Sequence, residues 1–456
     1  SKLVTTNEAW FDGCTSLTKI TYNGYTGDKN FALPNTVKNL SFYLFRGTKI
    51  DYADISWISG NNNLRSYIFE NCTELKEVVL CPDLTYIPYA MFSGCSSLTE
   101  ITIPDGVTII NMYAFANTGL TKVTIPSRVN TIKAYAFANV GITQIALPER
   151  LTTMEANAFR GTKIRSLDLS KFELSTFEKG TFQECEYLEE VILNSNWTKI
   201  PSYFFYGCTS LQRFELPISI TEIGDYAFAN CSSLTELEMA GTGLTSIGKC
   251  AFVGSALTKA TVPSIVIKIG DGAFNTASLT QLTVDEKNKD FSVQNGFLVN
   301  KDGEIVSYFG KLSDVNFDGF DKIPAGFFNG REITSLTVPA SVKTIGDGAF
   351  ENCVIDTITF QTGSMLETIG AKAFLNSTLK SIDLPASTKS IGNSAFENCS
   401  ALTSVTGADS ATFGTNAFKN CVNLTSFTLP DTITAIPESM FANSGLTSIV
   451  IPASVT

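Results

Sequence analysis

The chain has 456 residues, with 33 Lys and Arg against 44 Asp and Glu, a formal net charge of −11, 44% hydrophobic and 17% charged residues, and no histidine. The missing imidazole excludes Ser-His-Asp and Cys-His catalytic pairs and histidine-ligated zinc. The acidic balance argues against a nucleic-acid partner, the apolar content excludes general disorder, and no run of about 18 apolar residues reads as a membrane-spanning helix.

Length alone predicts about three domains, but self-similarity replaces that expectation. A phenylalanine, most often in an Ala-Phe pair, recurs at Phe11, then every 22 to 24 residues from Phe45 to Phe274, and again from Phe328 to Phe441, 18 copies in all. Residues 1–45 read as an irregular N-terminal repeat and cap. Trp10, Tyr22, Tyr25, Phe31, Phe42 and Tyr43 crowd there, followed by Tyr52, Trp57 and Tyr67. Closing the first turn is the favoured use of these rings; stacking on sugars or on a protein partner is the alternative. Tyr52 is expected to be the most exposed of them, beside Asp54. No signal peptide is visible at Ser1-Lys2-Leu3, as would hold for a secreted chain in mature or truncated form.

Residues 46–284 are regular repeats. From Phe92 to Phe115 the apolar positions are Leu98, Ile101, Ile103, Val107, Ile110 and Phe115. Leu-x-x-Ile-x-Ile is a short strand of period two. Pro104 and Gly106 stop it, a second short extended segment follows, and Ile-Gly-x-x-Ala-Phe, as at 223–228, predicts one helical or 3₁₀ turn. A 23-residue unit buries its apolar face only by stacking on copies of itself, which predicts a solenoid. Nine of 11 cysteines stand three residues after an anchor phenylalanine; Cys81 and Cys250 are the exceptions. A ladder of buried free thiols is the favoured reading, with rung-to-rung disulfides such as Cys72–Cys95 or Cys208–Cys231 as the alternative.

Residues 285–322 interrupt the array. Phe297–Asn300 and Glu304–Phe309 flank Asp302-Gly303 and predict a β-hairpin. Asp314-Val-Asn316-Phe-Asp318-Gly319 starts like a calcium loop, but the twelfth position is Ala325 rather than a bidentate acid. The repeat register instead makes Phe317, Phe320 and Ile323 core residues, so no metal is expected. Residues 323–456 resume the repeats and stop mid-unit at Ile451–Thr456, from which a continuing natural chain and one continuous solenoid are expected.

The pattern Pro-x-x-Val-Thr-x-Ile-Gly-x-x-Ala-Phe-x-x-Cys, repeated over almost the whole chain, resembles the BspA-like leucine-rich repeat family of bacterial surface proteins. The resemblance implies a right-handed, mostly β solenoid of the α/β repeat class, with a parallel concave sheet and short helical or 3₁₀ turns. It further implies export, adhesion or matrix binding, and no conserved catalytic residues or cofactor. The residues flanking the second apolar position of each strand face outward. They form an acidic cluster, Asp168, Glu190, Glu215, Glu236 and Glu238, beside Arg213, and toward the C-terminus a Ser/Thr strip. With Tyr52 and Asp54, the acidic cluster and Arg213 are the candidate ligand-binding residues. Strand propensity explains the threonines without a ligand, and a solvated face explains the acids. Paired acids on an open ladder lack the burial that tunes a glycosidase, so a non-enzymatic binding protein is expected. Its partner would be a protein or glycan on host or neighbouring cells, and it would act as a monomer. A spacer presenting another domain is the alternative.

Overall fold

Each repeat makes one rung of a parallel β solenoid, and the rungs are held in register by strands repeating at fixed positions. The computed structural model describes residues 9–60, 63–311 and 315–456. The chain divides into two compact units, 1–292 and 293–456.

In the first unit the short strands Tyr86–Ile87, Ile109–Ile110, Thr131–Ile132 and Thr153–Met154 form one parallel sheet in chain order. Lys199–Ile200, Glu222–Ile223, Ser246–Ile247 and Lys268–Ile269 form a second. The Leu-x-x-Ile-x-Ile segments make the other column: Tyr52–Asp54 pairs with Glu77–Val79, Ser166–Leu169 with Glu190–Leu193, and Lys259–Val262 with Gln281–Val284. Ser166–Leu169 alternates exposed and buried residues, as a period-two strand with one covered face must.

The Ile-Gly-x-x-Ala-Phe segment is not a helical turn. At 224–231 alternate amides bond inside and between rungs. Ala227, Ala229 and Cys231 donate to the carbonyls of Gly224, Tyr226 and Phe228, while Tyr226, Phe228 and Asn230 donate to Lys249, Ala251 and Val253 of the next rung. Each amide from Tyr226 to Cys231 is paired, but two residues per rung pass through the left-handed region: Tyr226 at φ 55° and Asn230 at φ 59°. A left-handed residue every four positions breaks the run of helical dihedrals. A short 3₁₀ turn occurs instead at Leu174–Thr176.

These left-handed slots explain two further columns. Two residues after the anchor stand Asn352, Asn376, Asn398, Asn420 and Asn443, all at φ 55–61°, where asparagine is the best-tolerated non-glycine residue. Their side chains form a ladder: Asn376, Asn398 and Asn420 each donate Nδ2 to the preceding Oδ1 at 2.7–2.8 Å. Two residues before the anchor, Tyr43, Tyr67, Tyr113 and Tyr135 hold the same region. A left-handed residue costs about 1–2 kcal/mol. Stacking between neighbouring tyrosines offsets part of that, with centroids 4.6 Å apart for Tyr43–Tyr67 and 5.0 Å for Tyr113–Tyr135.

The anchor rings form the core. Phe92, Phe115, Phe137 and Phe159 are fully buried and stack with centroids 5.6, 5.3 and 5.1 Å apart. The stack breaks after Phe182, where the edge of Phe204 meets its ring at 84°, and resumes from Phe205 to Phe274.

All eleven cysteines are free thiols. Eight of the nine in the anchor-plus-three slot are buried, and Cys14 is exposed. Thiols of this slot find acceptors inside the solenoid: Cys72, Cys95, Cys231 and Cys421 donate to the carbonyls of Phe45, Phe69, Phe205 and Phe396, the anchor one rung back, at 2.9–3.1 Å. That bond satisfies the slot without an S–S link. Burial pushes these thiols up from the ordinary value of 9.0, to about 11 for Cys72, Cys185 and Cys399 and about 12 for Cys231, Cys353 and Cys421. The native state therefore keeps protons that the unfolded chain gives up near pH 9. This contribution to stability is whole below pH 9 and is lost as pH rises toward 11–12. A thiol-specific chromogenic reagent at pH 8 is expected to modify Cys14 at once, Cys250 slowly, and the other nine only in denaturant. Rapid native labelling of more than two thiols would contradict the ladder.

In the second unit Lys322–Ile323, Thr344–Ile345, Thr368–Ile369, Ser390–Ile391 and Thr412–Phe413 form the short-strand sheet. Glu332–Val338, Val354–Phe360, Ser381–Asp383 and Ser404–Thr406 form the other. The expected hairpin is present: Phe297–Asn300 pairs antiparallel with Ile305–Tyr308, and Gly303 takes φ 77° in the turn. Phe297, Val299, Ile305 and Tyr308 join the core of this unit with Phe317, Phe320 and Ile323. Asp314, the first residue of the calcium-like motif, lies outside the described residues; Asn316 and Asp318 bond to one another.

Candidate binding surface

The long-strand column of the first unit presents two outward positions per rung. Register fixes the neighbours: Tyr52 opposite Glu77, Asp54 opposite Val79, Ser166 opposite Glu190, Asp168 opposite Ile192, and Arg213 opposite Glu236. Glu215 and Glu238 occupy the second position of their rungs, so five acids and one arginine lie on four successive rungs. All six of these charged residues are exposed.

The structure separates the candidates into three kinds. Glu190, Glu215 and Glu236 are exposed carboxylates with no hydrogen bond or ion pair among the described residues, and Arg213 beside them is likewise unpaired. Asp168 and Glu238 are exposed but partly engaged by their own turns. Asp168 accepts from the Ser170 hydroxyl and amide at 2.6 and 3.0 Å, and the hydroxyl bond is the main cause that holds its carboxyl below the ordinary carboxylate value. Glu238 accepts from the Ala240 amide at 2.8 Å. Tyr52 and Asp54 form the third kind and correct an expectation. Tyr52 is only half-exposed, because the Lys29 ammonium sits 4.3 Å over its ring, and Asp54 is half-buried while capping the Ser56 amide at 2.9 Å. Trp10 and Tyr22, 42% and 41% exposed, are the open rings of the N-terminal region. Phe31 is buried, in keeping with the capping use.

One contributor carries no charge and so stands outside the acidic column. Ile192 is 50% exposed, opposite Asp168 and one rung from Glu215. Its slot in the strand pattern is legible, but an isoleucine there reads as ordinary strand propensity. An exposed branched side chain ringed by acids is an apolar anchor with a polar rim, the anatomy of a protein-binding patch. The Ser/Thr strip of the second unit is different. Thr337 and Thr359 hydroxyls bond to one another at 3.0 Å and Thr406 donates to Asp383, so much of its hydrogen-bonding capacity is used within the strip.

Among the described residues no group of three or more Cys, Asp and Glu could hold a metal ion, and no helix is long and apolar enough to cross a membrane.

Three solved structures of bacterial proteins are similar to this chain. A leucine-rich repeat protein from Bacteroides ovatus is 24% identical, with 75% of this chain and 81% of that chain covered, at a TM-score of 0.43. A leucine-rich cell surface protein from Faecalibacterium prausnitzii is 21% identical over 98% of this chain and 86% of that one, at 0.32. The pneumococcal vaccine antigen PcpA is 18% identical over 82% and 78%, at 0.32. No curated relative matches. The model of the BspA-type leucine-rich repeat region matches residues 1–119, 108–235, 198–298 and 321–447. With nearly the whole chain inside these matches, the chain belongs to the BspA-type leucine-rich repeat family.

Proposed function

We propose that this chain is a non-catalytic bacterial surface or secreted protein that binds a macromolecule of a host or neighbouring cell through the acidic stretch of its long-strand ladder. The observation that carries the reading is the set of unpaired carboxylates of Glu190, Glu215 and Glu236 around exposed Ile192. These charges are already solvated and free of internal partners, so a basic protein surface meets no competing ion pair. A ladder of this kind steers association and selects partner charge more than it adds raw affinity. Family membership supports the placement outside the cell.

The test is an array of host matrix and bacterial surface proteins, followed by surface plasmon resonance on the strongest binder. Glu215→Lys with Glu236→Lys is expected to weaken binding at least tenfold, with a slower on-rate and a flatter salt dependence. Both substitutions are on exposed side chains and are expected to leave thermal unfolding unchanged. Unaltered binding by the double variant would remove this face as the site; no binder in the array would count against the adhesion reading as a whole.

A further inference from the structure

On the short-strand side of the first unit, three successive rungs carry Phe42, Ser66 and Tyr89 at the same position, three residues before the anchor phenylalanine. The register is set by the Tyr43 amide donating to Ser66 and the Tyr67 amide to Tyr89, at 3.4 and 3.0 Å. Rungs are spaced about 4.8 Å apart, so two aromatic residues stand about 10 Å apart across a small one. The result is a concavity of about 390 Å³, lined by these three residues with Arg65, Tyr86 and Asn111, among others. That volume lies in the range of small-ligand sites, about 300–1,000 Å³.

Two features indicate what fits. The Arg65 guanidinium lies 5.9 Å from the centroid of the Phe42 ring, and no carboxylate is in ion-pair range of it among the described residues. Arg46, Arg160 and Arg165 each pair with an acid of a neighbouring rung, whereas Arg65, like Arg213, has no such pair among the described residues. Arg65 is exposed and keeps its donors open although acids are in excess in this chain, and a planar guanidinium matches a carboxylate two bonds at a time. The rest of the lining is mixed. Phe42, Tyr86 and Tyr89 offer apolar surface, Ser66 offers a hydroxyl, and Asn111 uses its Nδ2 on the Ile87 carbonyl at 2.9 Å, leaving Oδ1 as an acceptor. Apolar ring surface beside scattered hydroxyl-binding groups suits the C–H face and the hydroxyls of a sugar ring.

We propose that this concavity binds a carboxylated sugar, with Arg65 taking the carboxylate and Phe42 and Tyr89 flanking the ring over Ser66. The site is on a different face from the acidic ladder, so its success or failure is independent of the function proposed above.

Saturation-transfer NMR and calorimetry on the full chain test it, with trigalacturonate and sialyllactose as carboxylated probes, lactose as the neutral probe, and a tripeptide with a free C-terminus as the non-sugar carboxylate. Saturable binding of at least one carboxylated sugar is expected, with lactose and the tripeptide at least tenfold weaker. Arg65→Gln is expected to abolish that preference, and Ser66→Phe, which fills the floor, to abolish sugar binding. Because Arg65 is exposed, Arg65→Gln reads the site without disturbing the fold. No binding of either carboxylated sugar at about 10 mM, a free energy weaker than about −3 kcal/mol, would overturn the proposal. Equal binding of lactose, equal binding of the tripeptide, or an Arg65→Gln variant that binds as the parent does would also overturn it.

Discussion

Phe137→Ala is expected to lower the free energy of unfolding by about 3–5 kcal/mol, the usual cost of emptying a buried phenylalanine site. Phe137 has no exposed surface, and its ring is stacked on Phe115 at 5.3 Å and on Phe159 at 5.1 Å. The loss therefore falls on two rung interfaces at once. In a solenoid, stability is close to a sum of rung terms and nearest-neighbour terms, so weakening two adjacent interfaces in mid-array also lowers cooperativity. Urea denaturation followed by circular dichroism should show an earlier midpoint and a shallower transition. Phe137→Leu keeps most of the apolar volume and is expected to cost under about 1.5 kcal/mol. A loss below about 1 kcal/mol for the alanine variant would mean that the ring column is not the main cohesive element.

The second large effect is at Gly407, which has φ 73°. A Cβ there would run into the backbone carbonyl of Leu384 one rung back, where no flexible side chain can yield. Gly407→Ala combines the left-handed penalty of about 1–2 kcal/mol with an overpacking cost of about 1–3 kcal/mol, for a total of about 2–5 kcal/mol. Gly363 in the same unit separates the two terms, since it has φ 80° and nothing within 4 Å of an added Cβ. Gly363→Ala should cost only the dihedral term. Thermal unfolding of both variants checks this, and equal shifts would show that close backbone approach at Gly407 contributes nothing.

The two positions differ in how plainly the chain announces them. The anchor phenylalanine declares itself by recurrence at 22 to 24 residues, and the hairpin by Asp302-Gly303 between apolar runs. The buried thiols are legible because cysteine shares its slot with Thr, Ser, Val and Ala. The left-handed slots are legible in principle: Gly94, Asn117, Asn139, Gly161, Gly207 and Asn230 alternate two residues after the anchor, and only positive φ makes glycine and asparagine interchangeable. Reading that segment as a helical turn misses this signal. The tyrosines two residues before the anchor conceal the same requirement, because stacking between rungs offsets part of the cost of a bulky residue in that conformation.

The candidate surface is legible as a column and not as a site. Period two assigns Glu190, Arg213, Glu215, Glu236 and Glu238 to the outside, and they are there. It does not say that Lys29 covers Tyr52, that Asp54 and Asp168 are tied to their own turns, or that Ile192 stands open among acids. Those outcomes depend on contacts between residues of neighbouring rungs or on turn geometry after the strand. The slot beside Arg65 is the clearest instance. Phe42, Ser66 and Tyr89 are 24 and 23 residues apart, so the repeat aligns them, but that no acid among the described residues pairs with Arg65 does not follow from local pattern.

By itself the amino-acid sequence determined the repeat length, the inward Phe, Ile, Leu and Cys slots, the hairpin and the outward acidic column, because each follows from periodicity and burial within one unit. Tertiary structure alone decided which charges are free, which aromatics are covered and where a slot opens. The physical reason is that stacking brings together side chains about one repeat apart, and the fit between rungs is set by their relative sizes and register rather than by any property of a single rung.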